Sequence, residues 1–73
     1  MRRNTAMLLS HAVSSQMKLK HLTKTQVAQY IGLSYSSFAR RMDEPLSFTA
    51  GEIDRLSYLF GITPAELMEG RDF

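Results

Sequence analysis

The segment YSSFARR, at positions 35–41, holds most of the side chains in this chain whose chemistry suits recognition. Its tyrosine and serine hydroxyls both donate and accept hydrogen bonds, and its two arginines carry planar guanidinium groups. Such groups suit the binding of phosphates and of the polar edges of nucleic-acid bases. The first hypothesis for this segment is therefore binding rather than covalent chemistry.

The residues of catalytic and metal sites do not occur in the required combinations. The sequence has no cysteine, and it shows no set of a nucleophile, a base and an orienting group. Its two histidines, His11 and His21, are ten positions apart with no partnering cysteine, which is not a convincing ligand spacing. We expect surface histidines, no enzymatic activity, no bound metal and no cofactor.

Charge is divided by position along the chain. Net charge is only +2, but seven basic residues precede Asp43 with no acid among them. From Asp43 onward, seven acidic residues face two arginines. The first part should therefore attract polyanions, and the second part should repel them.

Helix starts and stops are marked by local signals. Three threonines are each followed three residues later by Glu or Gln, which is the pattern of a capping box: Thr23, Thr49 and Thr63. Gly32 and Gly61 follow apolar segments and precede another apolar residue, as glycines at helix ends commonly do, and Gly70 is expected to end the last helix. With helical spacing of apolar residues between these marks, the sequence predicts five helices and no strand, over about 4–18, 24–31, 35–43, 50–60 and 64–69.

Length and hydropathy limit the class of protein. The 73 residues, 44% of them hydrophobic, suit one small globular domain over 1–73 with a short basic arm at 1–3. No apolar run is long enough for a bilayer, and no signal-peptide core follows Met-Arg-Arg. We expect a cytoplasmic protein that does not contact a membrane.

The second and third predicted helices are short and share a three-residue turn. Short helices need a neighbour for stability, and a small residue at Ala28 lets the two approach closely. Val27, Ile31, Leu33 and Phe38 supply the apolar contacts of a helix-turn-helix. The pattern of 22–28, Gly32-Leu33-Ser34, Phe38 and the segment 48–67, which closes on LFGITPAEL, resembles the Cro/C1-type (XRE) helix-turn-helix family of phage and bacterial regulators.

That resemblance implies a fold and a DNA-binding mode. The fold is an all-α, compact five-helix bundle of the lambda-repressor-like class, whose third helix, about 35–43, reads the major groove. With Phe38 and Met42 facing inward, the positions that resemble the base-reading positions of the family are Tyr35, Ser36, Ala39 and Arg40. Arg40 either bonds a guanine edge or contacts a phosphate, and Tyr35 either bonds a phosphate or lies against a base edge. Tyr30, by contrast, is interpreted as a partly buried core residue.

The resemblance also implies a set of phosphate contacts around that helix. Lys24 and Thr25 begin the second helix, where backbone amides also face phosphate. Arg2 and Arg3 would follow the phosphates or enter a minor groove. The full expected set is Arg2, Arg3, Lys24, Thr25, Ser34, Ser37 and Arg41.

Arg41 departs from the family pattern, which often has an aliphatic residue three positions after the equivalent of Phe38. We expect Met42 to supply the missing apolar contact. The stem of Arg41 would then cover apolar surface while its guanidinium reaches solvent or phosphate.

These observations favour a sequence-specific DNA-binding transcriptional regulator, a repressor of phage or prophage type. One short helix reads few bases, so the expected form on DNA is a homodimer on a partly palindromic operator. Candidate interface residues are Leu67, Met68 and Phe73, with completion of the core as the alternative role for each. The alternative is an antitoxin-like or partner-regulating module on the same fold, whose acidic second half binds another protein.

Overall fold

The computed structural model describes residues 5–69, which form five α-helices and one 3-10 turn. The helices are α1 (Thr5–Leu19), α2 (Lys24–Ile31), α3 (Tyr35–Asp43), α4 (Ala50–Phe60) and α5 (Pro64–Glu69). No strand occurs in this part of the chain. The predicted all-α five-helix fold is therefore confirmed, with boundaries that differ from the expected ones only at the two ends of α1. Arg2, Arg3, Gly70 and Phe73 lie outside the described residues.

All three predicted capping boxes form. The Thr23 hydroxyl accepts from the Gln26 amide over 3.2 Å while the Gln26 side chain accepts from the Thr23 amide over 2.8 Å. Thr49 and Glu52 make the same pair of bonds at 3.0 and 3.1 Å, and so do Thr63 and Glu66. Each box satisfies two backbone donors that the helix itself leaves unpaired, so these helices start where the sequence predicts.

The glycine stops also form as expected. Gly32 and Gly61 have positive φ angles of 81° and 71°, which reverse the chain at the ends of α2 and α4. The residue after each glycine then donates to a carbonyl five residues back, Leu33 to Ala28 over 2.8 Å and Ile62 to Ser57 over 3.1 Å. These bonds hold the turns that follow α2 and α4.

The segment after α3 is more regular than predicted. The sequence indicates a loop at Glu44 and Pro45, and the structure has a 3-10 turn over Pro45–Ser47. Pro45 begins this turn, where its fixed φ is favourable and its missing amide is not needed. The Pro45 side chain is buried, and the turn packs against α1 and α3.

One apolar core joins the helices. α1 packs on α5, while α2 packs on both α3 and α4. The predicted stripes on α1 and α2 are buried, and Phe38 on α3 is completely enclosed. The buried apolar residues are Leu9, Ala12, Val13, Met17, Val27, Ala28, Ile31, Phe38, Phe48, Leu56, Phe60 and Leu67. This core holds α2 and α3 in place although neither is long enough to be stable alone.

Candidate nucleic-acid interface

α3 is held at its start by a serine cap and at its middle by an aromatic anchor. The Ser34 hydroxyl accepts from the Ser37 amide over 3.2 Å, which satisfies one free amide of the first turn. Phe38 has no exposed surface, and its ring lies 6.2 Å from that of Phe48 at an interplanar angle of 59°. Such a tilted pair is a favourable aromatic geometry. The inward face of α3 is thereby defined, and so is its outward face.

The four expected base-reading residues all keep some exposed surface on α3. Tyr35 is 55% exposed, Ser36 and Arg40 are exposed, and Ala39 is half-buried. Positions four apart share one face of a helix, which places Tyr35 beside Ala39 and Ser36 beside Arg40. The outward face therefore combines hydroxyls, a methyl group and a guanidinium, the groups that suit the edges of bases in a major groove.

Arg40 is the cation available on this face. Its side chain makes no hydrogen bond or ion pair with any residue in 5–69. The neighbouring Arg41, in contrast, donates a hydrogen bond to Glu52. An exposed guanidinium without a competing internal partner can bind an external acceptor without first losing a bond.

The expected phosphate-binding residues other than Arg41 fall into three groups. Lys24 and Thr25 are exposed in the first turn of α2, beside amides that the helix leaves unpaired. The serines are already engaged within the protein, because Ser34 also donates to the Ser37 hydroxyl over 3.0 Å and Ser37 is half-buried. Arg2 and Arg3 belong to the residues that the structure does not describe.

Arg41 is turned toward α4. Its Nε lies 3.1 Å from Oε1 of Glu52, and the two side chains are 23% and 9% exposed. Burial raises the pKa of the Glu52 carboxyl, but hydrogen bonds from the Thr49 amide and from Arg41, with the Arg41 charge, outweigh burial and leave that pKa below its ordinary value. Glu52 is thus an ionised, mostly buried partner for the C-terminal half of α3.

Sequence reasoning missed Arg55, which lies one turn after Glu52 on α4. Its Nη1 donates to the carbonyl of Ile31 over 3.2 Å, at the end of α2 where carbonyls lack helical partners. α4 therefore contacts both α2 and α3 through polar side chains. The sequence signal for this bracing is weak, because charged residues at i and i+3 are also what any solvated helix face shows.

Two interpretations from sequence need correction. Leu67 has no exposed surface because α5 buries it against the core, so it cannot contact a second copy in this fold. Tyr30 is 46% exposed and is absent from the buried core; it lines an open groove with Asp54 and Tyr58 of α4. Met68 remains half-buried against the core.

Neither a metal-binding cluster nor a membrane-crossing helix occurs among residues 5–69. No group of three or more His, Asp and Glu side chains within 5–69 is arranged to hold a metal ion. His11 and His21 are both exposed, as expected. None of the helices between Thr5 and Glu69 combines the length and the apolar character needed to cross a membrane.

Comparison with known proteins identifies a family. The family model described as the Cro/C1-type HTH DNA-binding domain matches residues 13–71. That range includes α2, the turn, α3, α4 and α5. No curated protein and no solved structure matches the chain.

Proposed function

The chain belongs to the Cro/C1-type helix-turn-helix DNA-binding family, and we propose that it is a sequence-specific transcriptional regulator, a repressor of phage or prophage type, that reads the major groove with α3. The observation that carries this proposal is the outward face of α3. There Arg40 is exposed without an internal partner, one helical turn from Ser36. Phe38 and the Ser34 cap set which way that face points.

Each outward residue has a role in the proposal. Arg40 reads a guanine edge through its guanidinium, Ser36 bonds a base or a phosphate, and the Ala39 methyl contacts a thymine methyl. Tyr35 lies at the start of the helix and bonds a phosphate or a base edge. Lys24, Thr25 and the N-terminal amides of α2 contact the backbone, which sets the register of α3 on the duplex.

A homodimer on a partly palindromic operator is part of the proposal. One helix of nine residues contacts only a few base pairs, and two-fold symmetry doubles the site that is read. With Leu67 buried, the interface candidates that remain are Met68 and Phe73. Absence of a membrane-crossing helix between Thr5 and Glu69 fits the proposed cytoplasmic location.

The charge division supports one alternative function. The acidic second half includes Asp54 on α4 and Glu69 on α5, both exposed, and acidic side chains at the surface suit a partner protein with a basic surface. In that case the same fold would act as an antitoxin-like or partner-regulating module. DNA binding would then depend on the basic first part of the chain, and partner binding on the acidic second part.

Selection from a pool of random duplexes tests the proposal. The purified protein is taken through several rounds, the retained DNA is sequenced, and the best duplex is titrated at several salt concentrations. A two-fold symmetric motif with steep salt dependence is the expected result. A single asymmetric motif contradicts the homodimer, and weak binding to every duplex without enrichment contradicts sequence-specific regulation and favours the interaction module.

A further inference from the structure

We propose that Arg41 is a positioning residue, which Glu52 holds against α4 so that α3 keeps the orientation needed for reading bases. On this view Arg41 does not contact phosphate, although the sequence pattern predicts that it does. The proposal rests on the proposed DNA-reading function. It assigns to the pair a role that neither residue type indicates by itself.

The Glu52 carboxylate is fixed before Arg41 is considered. Its Oε1 accepts from the Thr49 amide over 3.0 Å, and the Glu52 amide donates to the Thr49 hydroxyl over 3.1 Å. The same Oε1 then accepts from Arg41 Nε over 3.1 Å. The capping box therefore sets the position of the carboxylate, and the carboxylate sets the position of the guanidinium.

Moving Arg41 to a phosphate would leave Glu52 in an unfavourable state. The Glu52 side chain is only 9% exposed, and a mostly buried carboxylate that loses its cationic partner keeps the cost of desolvation without the compensating attraction. Arg40 has no ion-pair partner within the described residues, so binding to DNA breaks no internal bond of its side chain. Of the two adjacent arginines, Arg41 is therefore bonded within the protein, and Arg40 is available to bind DNA.

The pair connects two helices that otherwise share little contact. α3 packs chiefly on α2 and on the 3-10 turn, while α4 packs on α2 and α5. Phe38 anchors the middle of α3, and Arg41 lies in its last turn. A second tie near the end of the helix restricts rotation about the helix axis and tilt about the Phe38 anchor.

Arg55 strengthens the argument that α4 braces the motif. It holds the Ile31 carbonyl at the end of α2, and it lies three residues after Glu52, on the same face of α4. One turn of α4 thus supplies an anion to α3 and a cation to α2. The relative placement of the two helices is then set by polar bonds in addition to the shared core.

Loss of the pair should affect recognition more than general DNA affinity. Hydrogen bonds to base edges require accurate placement of Arg40 and Ser36, whereas phosphate attraction tolerates small displacements. A phosphate contact behaves in the opposite way, because its removal weakens binding to all sequences and lowers the dependence of binding on salt.

The test uses the full chain, the best duplex from the random-pool selection and a scrambled duplex of equal length. The variants are Glu52→Gln, Arg41→Met, the double variant, and Arg41→Lys for rescue. Glu52→Gln keeps an oxygen that accepts from the Thr49 amide, so the capping box survives while the charge is removed. Arg40→Met is the matched control for an arginine that contacts DNA directly. Melting temperatures are recorded so that binding is compared where every variant is folded.

We expect Glu52→Gln and Arg41→Met each to weaken binding to the selected duplex by roughly tenfold, within the range of couplings between contacting residues. Binding to the scrambled duplex should change little, the double variant should be no weaker than either single one, and Arg41→Lys should recover part of the loss. The slope of log affinity against log salt concentration should remain that of the wild type.

Three results overturn the inference. In one, Glu52→Gln leaves binding unchanged while Arg41→Met weakens both duplexes equally and lowers the salt slope by about 1, which identifies a phosphate contact. In another, both variants lose affinity for the two duplexes equally, in proportion to lost stability. In the third, the wild type enriches no duplex. The proposed function then fails and this inference fails with it, whereas the first two results contradict this inference alone.

Discussion

The Leu33 amide donates a 2.8 Å hydrogen bond to the carbonyl of Ala28, and this bond closes the turn between α2 and α3. The geometry needs Gly32 at a φ of 81°, in the left-handed region that residues with a Cβ atom rarely adopt. It also places the small side chain of Ala28, 1% exposed, within the core beside this turn. Backbone conformation and side-chain volume at these two positions together determine how α2 and α3 meet.

Gly32→Ala should destabilise the protein by about 1 to 2 kcal/mol because the left-handed backbone is strained for alanine. Space is not the cause, since an added Cβ would lie 3.8 Å from the nearest atom, Arg55 Nη1. Gly51→Ala is the matched control, because Gly51 lies within α4 without a positive φ, and it should stabilise by about 0.5 kcal/mol. Denaturant unfolding measures both changes, and equal effects would refute the explanation.

Ala28→Leu should cost about 1 to 3 kcal/mol, because the larger side chain overfills the core next to the junction of α2 and α3. Gln29→Leu adds a leucine at the next, exposed position and should be nearly neutral. Thermal unfolding followed by circular dichroism compares the two variants. An unchanged melting temperature for Ala28→Leu would mean that the core accommodates the added volume.

His21→Gly should stabilise the protein. His21 follows α1 with a φ of 55°, while Leu22 donates to the Met17 carbonyl over 2.9 Å, so this turn has a helix-ending geometry that favours glycine. Replacing His21 by glycine relieves roughly 1 to 2 kcal/mol of backbone strain. The greater freedom of glycine in the unfolded chain offsets part of this, so the free energy of unfolding should rise by about 0.5 to 1 kcal/mol. Lys20→Gly, next to it but without a positive φ, should give no gain in melting temperature.

Arg40→Ala should weaken binding to the selected duplex by about 1 to 3 kcal/mol and relax the preference at one base position. Tyr58→Ala is a suitable control, because Tyr58 is 82% exposed on α4 and has no place in the proposed interface. Affinities for the selected and random duplexes give the comparison. Equal losses on both would assign Arg40 to a phosphate and remove it from the base-reading set.

Acidification should destabilise the protein partly through Glu52. Because the folded-state pKa of this carboxyl lies below its ordinary value, its contribution to stability is present above the unfolded-state pKa and is lost as the pH falls through the lower folded-state pKa. Glu52→Gln should therefore unfold at a lower melting temperature than the wild type at pH 7, and the difference should shrink toward pH 3. Glu44→Gln, at an exposed position, is the control. A difference between wild type and Glu52→Gln that stays constant with pH would exclude the contribution of the carboxylate charge.

The positions of the helices could be predicted because their determinants are local. A capping box joins residues three apart, as Thr23 and Gln26 do, and a glycine stop involves one backbone angle. The buried stripe of α1 follows from periodicity alone. The 3-10 turn at Pro45–Ser47 was missed because Pro45 marks the end of a helix in the sequence but does not indicate the structure that follows it.

The candidate site was only partly predictable. The placement of Phe38 inward was enough to put Ser36 and Arg40 outward, because one inward residue fixes the phase of a short helix. Arg41 and Leu67 were different, because the burial of each depends on the helices that pack against it. The periodicity of a helix does not determine which side chains its neighbours will cover, so the burial of these two residues could not be predicted from it.

The sequence by itself determined the fold class, the helix boundaries, the turn at Gly32 and the outward face of α3, since these depend on contacts within about one helical turn. Only the tertiary structure decided that Arg41 pairs with Glu52, 11 residues away, and that Arg55 holds Ile31, 24 residues away. Contacts over such separations exist only once the core has placed the helices. The physical reason is that a charged side chain takes whichever partner the packed helices bring within reach, and the sequence does not state which one that is.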